Sequence, residues 1–193
     1  MKADIVFAGI GGQGVLSAAA ILAEAARRQG LVVKQTEVHG MAQRGGAVQA
    51  SLRIAPDAIA SELIPRGSAQ MILGLEPVEA LRYIDYLVPD GLLVTAADPV
   101  ADLPGYPPIA LIHEQVRSLG GHLIEADRLA REAGSHRAAN IVMLGAASVL
   151  LSVPPEILDA CIGDAFAARG DKVVAINREA FRLGRAAIAP ARR

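Results

Sequence analysis

The feature that most constrains this 193-residue chain is Gly9-Ile10-Gly11-Gly12-Gln13-Gly14, set between an apolar run and an amphipathic segment. Residues 3–8 are short, apolar and partly β-branched, and they stop at the glycines, the pattern of a buried central strand. Residues 13–29 carry Val15, Leu16, Ala19, Ile21, Leu22, Ala25 and Ala26 on one broad face and stop at Gly30, as a helix with a glycine terminus does. Residues 32–37 read as a second strand. Strand, glycine turn, helix and strand in this order make a right-handed βαβ unit. The glycine turn then lies at the carboxyl edge of a parallel sheet, where open α/β proteins bind ligands.

The remainder continues the alternation. Residues 47–54 place Val48, Ala50, Leu52 and Ile54 against Gln49, Ser51 and Arg53, a strand with one exposed face that need not be parallel to the others. Residues 71–75 and 91–96 read as further strands, and Pro77 opens a helix that runs through residue 87. Pro99, Pro104, Pro107 and Pro108 make residues 98–108 an irregular surface crossing. A short helix or turn near 114–119, a strand at 122–125 and a helix from Asp127 follow. Residues 138–151 form the most apolar helix, broken by Pro154-Pro155, and helices over 156–168 and 171–187 close the chain. The expected architecture is α/β: a three-layer, mostly parallel Rossmann-like sheet with helices on both faces and a C-terminal helical segment. It forms one domain over residues 1–193.

Hydrophobic residues make up 52% of the chain and aromatics only 3%, so Ala, Val, Ile and Leu supply the core and leave apolar surface for another subunit to cover. The net charge of −1, with no basic stripe, makes nucleic acid an unsuitable partner. Cys161, the only cysteine, excludes an internal disulfide and any iron–sulfur cluster held by this chain alone, and its expected role is that of a small buried hydrophobe. His113, His122 and His136 lack metal-ligand spacing with one another or with Cys161, so no metal site is expected. The most apolar run, 141–153, contains Gly145 and two serines and falls short of the about 20 residues a membrane span requires. The amino-terminal residues run straight into a strand without a secretory segment, so a cytoplasmic location is expected.

A glycine loop before a helix offers positive φ, no Cβ to block a phosphate, and N–H groups carrying positive partial charge. Gly11, Gly12, Gln13 and Gly14 are therefore candidates to hold an anion or pyrophosphate. Two other roles fit the same residues: a tight strand-to-helix crossover, or an interface with another chain. A nicotinamide enzyme places an acidic residue about 20 positions beyond its last glycine; here that position is Lys34, and Glu37 comes late. The next constellation is Glu37-Val38-His39-Gly40-Met41-Ala42-Gln43-Arg44-Gly45-Gly46, at the carboxyl end of the second strand. Arg44 presents a planar fork of donors suited to carboxylate or phosphate, and Gln43 both donates and accepts.

Together, Gly11-Gly12-Gln13-Gly14 and the ten residues from Glu37 to Gly46 resemble the gamma-type subunits of thiamine-dependent 2-oxoacid:ferredoxin oxidoreductases. Within that family the chain is most similar to the small subunits of the indolepyruvate enzymes. Asn140-Ile141-Val142-Met143-Leu144-Gly145-Ala146 resembles the start of that family's apolar helix, and the likeness runs from Ile5 to about Arg185. The resemblance implies a single gamma-type domain that carries no cofactor and completes the active site of a larger partner. It implies thiamine diphosphate, Mg²⁺ and [4Fe–4S] clusters on that partner, ferredoxin as electron acceptor, CoA as co-substrate, and an aryl pyruvate as 2-oxoacid. It assigns Gly11, Gly12, Gln13 and Gly14 to CoA's pyrophosphate, with Arg44 on a phosphate or on the substrate carboxylate, and no catalytic residue to this chain. The alternatives are a standalone dinucleotide-binding oxidoreductase and a purely structural subunit.

Overall fold

The computed structural model describes residues 2–39, 45–100, 105–151 and 153–188. Among these, six strands form one sheet: β1 (Ala3–Ile10), β2 (Val32–His39), β3 (Ala47–Ala55), β4 (Ala69–Gly74), β5 (Leu87–Ala96) and β6 (His122–Ile124), in the order β2-β3-β1-β4-β5-β6. The ladder from β1 through β4 and β5 to β6 is parallel, whereas β3 runs antiparallel to both its neighbours. The expected βαβ unit is thus corrected in one respect: its two strands are parallel in direction but β3 lies between them. Only a few residues separate β2 from β3, too few for the crossover a parallel neighbour requires, so the chain turns back as a hairpin and β3 pairs along all of β1.

The helices are α1 (Val15–Arg27), α2 (Pro77–Leu81), α3 (Ile109–Ser118), α4 (Ala126–Glu132), α5 (Ala139–Ser148), α6 (Pro155–Phe166) and α7 (Asp171–Ala187). Helix α2 is shorter than the expected span to residue 87, because the chain passes into a 3-10 turn at Ile84–Tyr86 and β5 begins at once. Strand β5 thus begins before the expected residue 91; Pro89 and Gly91 lie where the β4–β5 register shifts between Ala69 and Met71, an irregularity that tolerates a missing N–H.

Alternation along the strands feeds two cores. Ile5, Phe7, Leu52, Met71, Leu73 and Val94 pack beneath α1 and α4 to α7, while Val6, Ile72 and Leu93 pack with Ala80 of α2 and Val116 of α3 on the other face. The three expected layers are present. Helix α5 is buried along its length and crosses α7 at Gly145 and Gly184, where backbone meets backbone. The Ser148 hydroxyl donates to the Gly145 carbonyl at 2.7 Å and accepts from Arg185 Nη1 at 2.8 Å, which ties the end of α5 to α7. Cys161 is buried in the larger core, and desolvation pushes its thiol pKa up, consistent with an inert packing role. Among the described residues no helix is long and apolar enough to cross a membrane.

Candidate functional site

The glycine loop is a braced structure. As β1 ends, the Ile10 N–H donates to Gln13 Oε1 at 2.7 Å, and Gln13 Nε2 donates to the Leu75 carbonyl, just beyond β4, at 2.9 Å. Gln13 thus clamps the carboxyl ends of two adjacent parallel strands. Gly9 must lack a side chain, because a Cβ there would sit 2.9 Å from that same amide oxygen. The Gly11 N–H donates to the Gly46 carbonyl at 2.8 Å, so the first glycine loop is joined to the end of the second. The two constellations are adjacent because β3 pairs with β1, bringing Ala47 opposite Ile10. Residues 40–44, including Gln43 and Arg44, lie outside the described residues.

Gly12 and Gly14 both adopt positive φ, +102° and +81°, but their surroundings differ. Around Gly12 a Cβ would meet nothing within 4 Å, whereas at Gly14 it would come 2.6 Å from Asn140 Nδ2. Asn140, buried at the start of α5, donates through that nitrogen to the Gly14 carbonyl at 3.3 Å. Neither α1 nor α5 has a side-chain cap at its N-terminus. Between these two helix starts lies a cavity of about 670 Å³, bordered by Gly12, Gln13, Gly14 and Ser17 on one side and Asn140 on the other. Its floor is made by the strand ends at Leu75 and Ala96, the position open α/β sheets use for ligands. The start of α1, which has no side-chain cap, favours an anion there.

The cavity also receives residues the glycine motifs do not announce: Asp98, Asp127, His136, Arg137, Phe166 and Arg169. Asp98 Oδ2 accepts the Asp127 N–H at 3.0 Å, capping α4, and Asp127 Oδ2 accepts from Arg131 Nε at 2.8 Å. The helix begins at Ala126, one residue before the Asp127 that the sequence suggested, and an oxygen of Asp98 accepts from its first turn. The one signal of the basic corner in the sequence is His136-Arg137 directly before an apolar helix that begins without a capping side chain.

If the Gln13 clamp holds the loop, Gln13→Ala strands the Ile10 N–H and the Leu75 carbonyl. The expected loss is about 1–3 kcal/mol, seen by calorimetry as a melting temperature lower by roughly 2–10 °C. An unchanged melting temperature would show that the clamp contributes nothing.

Behind the wall, Glu76 is fully buried; its Oε2 accepts the Glu79 N–H at 2.7 Å, and its Oε1 accepts the Tyr106 hydroxyl, fastening the far end of the proline-rich crossing. Glu79 Oε2 is buried without a hydrogen-bond partner. Desolvation raises the Glu79 pKa, with Arg82 opposing and Glu76 reinforcing the rise. A carboxyl whose folded pKa lies above its unfolded value binds its proton more tightly in the native state, so stability falls as pH rises from the ordinary carboxylate range through the raised value. Glu79→Gln should flatten the decline in melting temperature over that window; an unaltered pH profile would contradict the assignment.

Chains similar to this one identify its family. The sequence profile described as pyruvate ferredoxin/flavodoxin oxidoreductase matches residues 4–187. The indolepyruvate oxidoreductase subunit IorB of Pyrococcus horikoshii is 39% identical, over 94% of this chain and 93% of that one. The gamma subunit of a keto/oxoacid ferredoxin oxidoreductase from Geobacter sulfurreducens superposes with a TM-score of 0.70 at 27% identity, covering 96% of this chain and 97% of that one. The 2-oxoglutarate:ferredoxin oxidoreductase of Magnetococcus marinus, solved with 2-oxoglutarate, coenzyme A and succinyl-CoA, shares the fold with a TM-score of 0.78 at 24% identity. That match covers 98% of this chain but 32% of the longer one. The chain therefore belongs to the pyruvate ferredoxin/flavodoxin oxidoreductase family, with the length and fold of that family's separate subunits.

Proposed function

We propose that this chain is the small, non-cofactor-carrying subunit of a thiamine-diphosphate-dependent 2-oxoacid:ferredoxin oxidoreductase. In that role it completes the active site of a larger partner and holds CoA for oxidative decarboxylation to an acyl-CoA. The observation that carries this reading is the cavity between the starts of α1 and α5, where Gly12 leaves the loop backbone open to a phosphate. The coenzyme A present in the Magnetococcus marinus enzyme supports the choice of ligand. The near full-length likeness to an indolepyruvate oxidoreductase subunit supports an aryl pyruvate as the 2-oxoacid.

The residues present do not fit the redox groups such an enzyme uses. Among the described residues no set of three or more His, Cys, Asp or Glu side chains is arranged to hold a metal ion, and Cys161 is single and buried. This chain's part is to bind and orient: loop and helix N–H groups neutralise phosphate charge, and the apolar floor excludes water from one wall of the partner's site. Arg44 is proposed as a further contact to a phosphate or to the substrate carboxylate. Iron–sulfur clusters, thiamine diphosphate and Mg²⁺ belong to the partner, and ferredoxin accepts the electrons.

A standalone nicotinamide enzyme fits less well. With β3 inserted, β2 is no longer beside β1, so the position that would hold a ribose is displaced to the sheet edge. Lys34, which occupies it, donates to the Ala60 carbonyl at 3.2 Å and lies 3.9 Å from Glu62. The Gln13 clamp favours a purely structural loop as the second reading. Calorimetric titration of the full chain with CoA and with NAD separates the three: CoA binding supports the proposal, NAD binding alone supports the nicotinamide enzyme, and binding of neither leaves the scaffold.

A further inference from the structure

We infer that the outer edge of β2 is a dimerisation surface, which pairs antiparallel with β2 of a second copy of this chain about a two-fold axis at Gln35. The inference is independent of what the cavity binds. The two edges of the sheet are unlike. At one, β6 has three residues, His122–Ile124, too few to recruit another strand. At the other, β2 has eight, Val32–His39, paired with β3 in unbroken register, without proline and rich in β-branched side chains. Its ends carry exposed valines, Val32 at 38% and Val38 at 61%.

Hydrogen-bond alternation fixes which main-chain groups this edge offers. The Gly11 N–H donates to the Gly46 carbonyl, continuing the β1–β3 ladder, whereas the Asp4 N–H turns the other way, to Gln70 Oε1 of β4 at 2.6 Å. Arg53, opposite Asp4, therefore directs its main chain to Lys34, and bonded and outward-facing residues alternate along β2 from there. Val33, Gln35 and Glu37 are the residues whose N–H and C=O point outward. Val33 packs on the larger core, so the side chains of these three lie on the α1 face of the sheet, and Val32, Lys34, Thr36 and Val38 share the other.

A two-fold axis normal to the sheet sets one residue opposite itself, and charge chooses which. Centring on Lys34 or on Glu37 brings like charges face to face, and centres nearer either end shorten the ladder. Centring on Thr36 sets Lys34 against the exposed Val38 of the second copy. Centring on Gln35 avoids all of these: Val32 of each copy meets Val38 of the other, Lys34 meets Thr36, and Val33 and Glu37 exchange main-chain hydrogen bonds. The sheet then continues through both copies. Because β1 and β2 point the same way and the pairing is antiparallel, the two cavities open at opposite edges, so each copy is free to meet its own large partner. One strand edge buries little area, so the dimer should be weak, with a dissociation constant on the order of 10 µM.

Sedimentation velocity on the full chain, from about 1 to about 200 µM, should show monomer passing into dimer. Val38→Lys, at an exposed position, should weaken the dimer at least about tenfold while the melting temperature of the monomer is unchanged. Gln35→Cys should form a disulfide between two copies under mild oxidation, since residues facing each other in a hydrogen-bonded pair stand about 5.5 Å apart. Thr36→Cys should not, because the same axis holds its two Cα atoms more than about 7 Å apart. Cys161 is buried and gives no background. The Gln35→Cys link should also form in the complex with the co-expressed large partner. A chain still monomeric at the highest concentration, or a link at residue 36 in preference to 35, overturns the pairing. Loss of the Gln35→Cys link in the complex does so too, and assigns the edge to the larger subunit instead.

Discussion

Gly184→Ala should destabilise this protein by about 3 kcal/mol or more, a fall in melting temperature of roughly 6–12 °C. The reason is local. A Cβ on Gly184 would run into the Val142 carbonyl of α5, and one on Gly145 would run into the Phe181 carbonyl of α7, so each glycine lets the other helix's backbone approach. No side chain can rotate away, because both obstacles are main-chain oxygens. Relief requires α5 and α7 to separate, which opens the core around Val142 and Phe181. Gly30→Ala serves as the control: its φ is +75° but its surroundings are open, so only local backbone strain of about 1 kcal/mol is expected. Calorimetry that found the two variants equally stable would show that the crossing is looser than described.

Gly12→Val is expected to abolish the ligand function with little effect on the fold. The added side chain would enter the cavity where the loop backbone should meet phosphate, and CoA affinity should fall by about a hundredfold or more. Nothing within 4 Å of the new Cβ forces the protein to rearrange, although φ of +102° adds some strain. Gly14→Ala makes the useful contrast: its Cβ would collide with Asn140, disturbing the starts of α1 and α5, so binding and stability should fall together. Titration and thermal unfolding on both variants separate the two roles. CoA binding retained in Gly12→Val would mean that the loop is not the phosphate site.

Much of this architecture is legible in local pattern. The run ending at Gly9 becomes β1 because every residue from Ala3 to Ile10 is buried, and α7 occupies the expected 171–187 because its apolar face and the glycine before it leave no competing choice. The insertion of β3 between β1 and β2 was not legible, since strand order depends on pairing and the alternation of residues 47–54 is the same beside either neighbour. The site divides in the same way. Gly12 and Gly14 could be marked as positions needing positive φ, but the amide of Gln13 turned out to serve the strand ends. His136, Arg137, Phe166 and Arg169 line one cavity because α5 and α6 each pack on α7, which no short motif encodes.

The proposed enzyme divides its labour: this chain shapes and charges one wall of a cavity, and another polypeptide carries the reacting groups. The most direct measurement is electron transfer to ferredoxin driven by a 2-oxoacid and CoA, assayed with the purified chain alone and then with its co-expressed large partner. No turnover should occur with the chain alone, and turnover should appear when the two are combined. Oxidation of a 2-oxoacid by the 193-residue chain alone would contradict it.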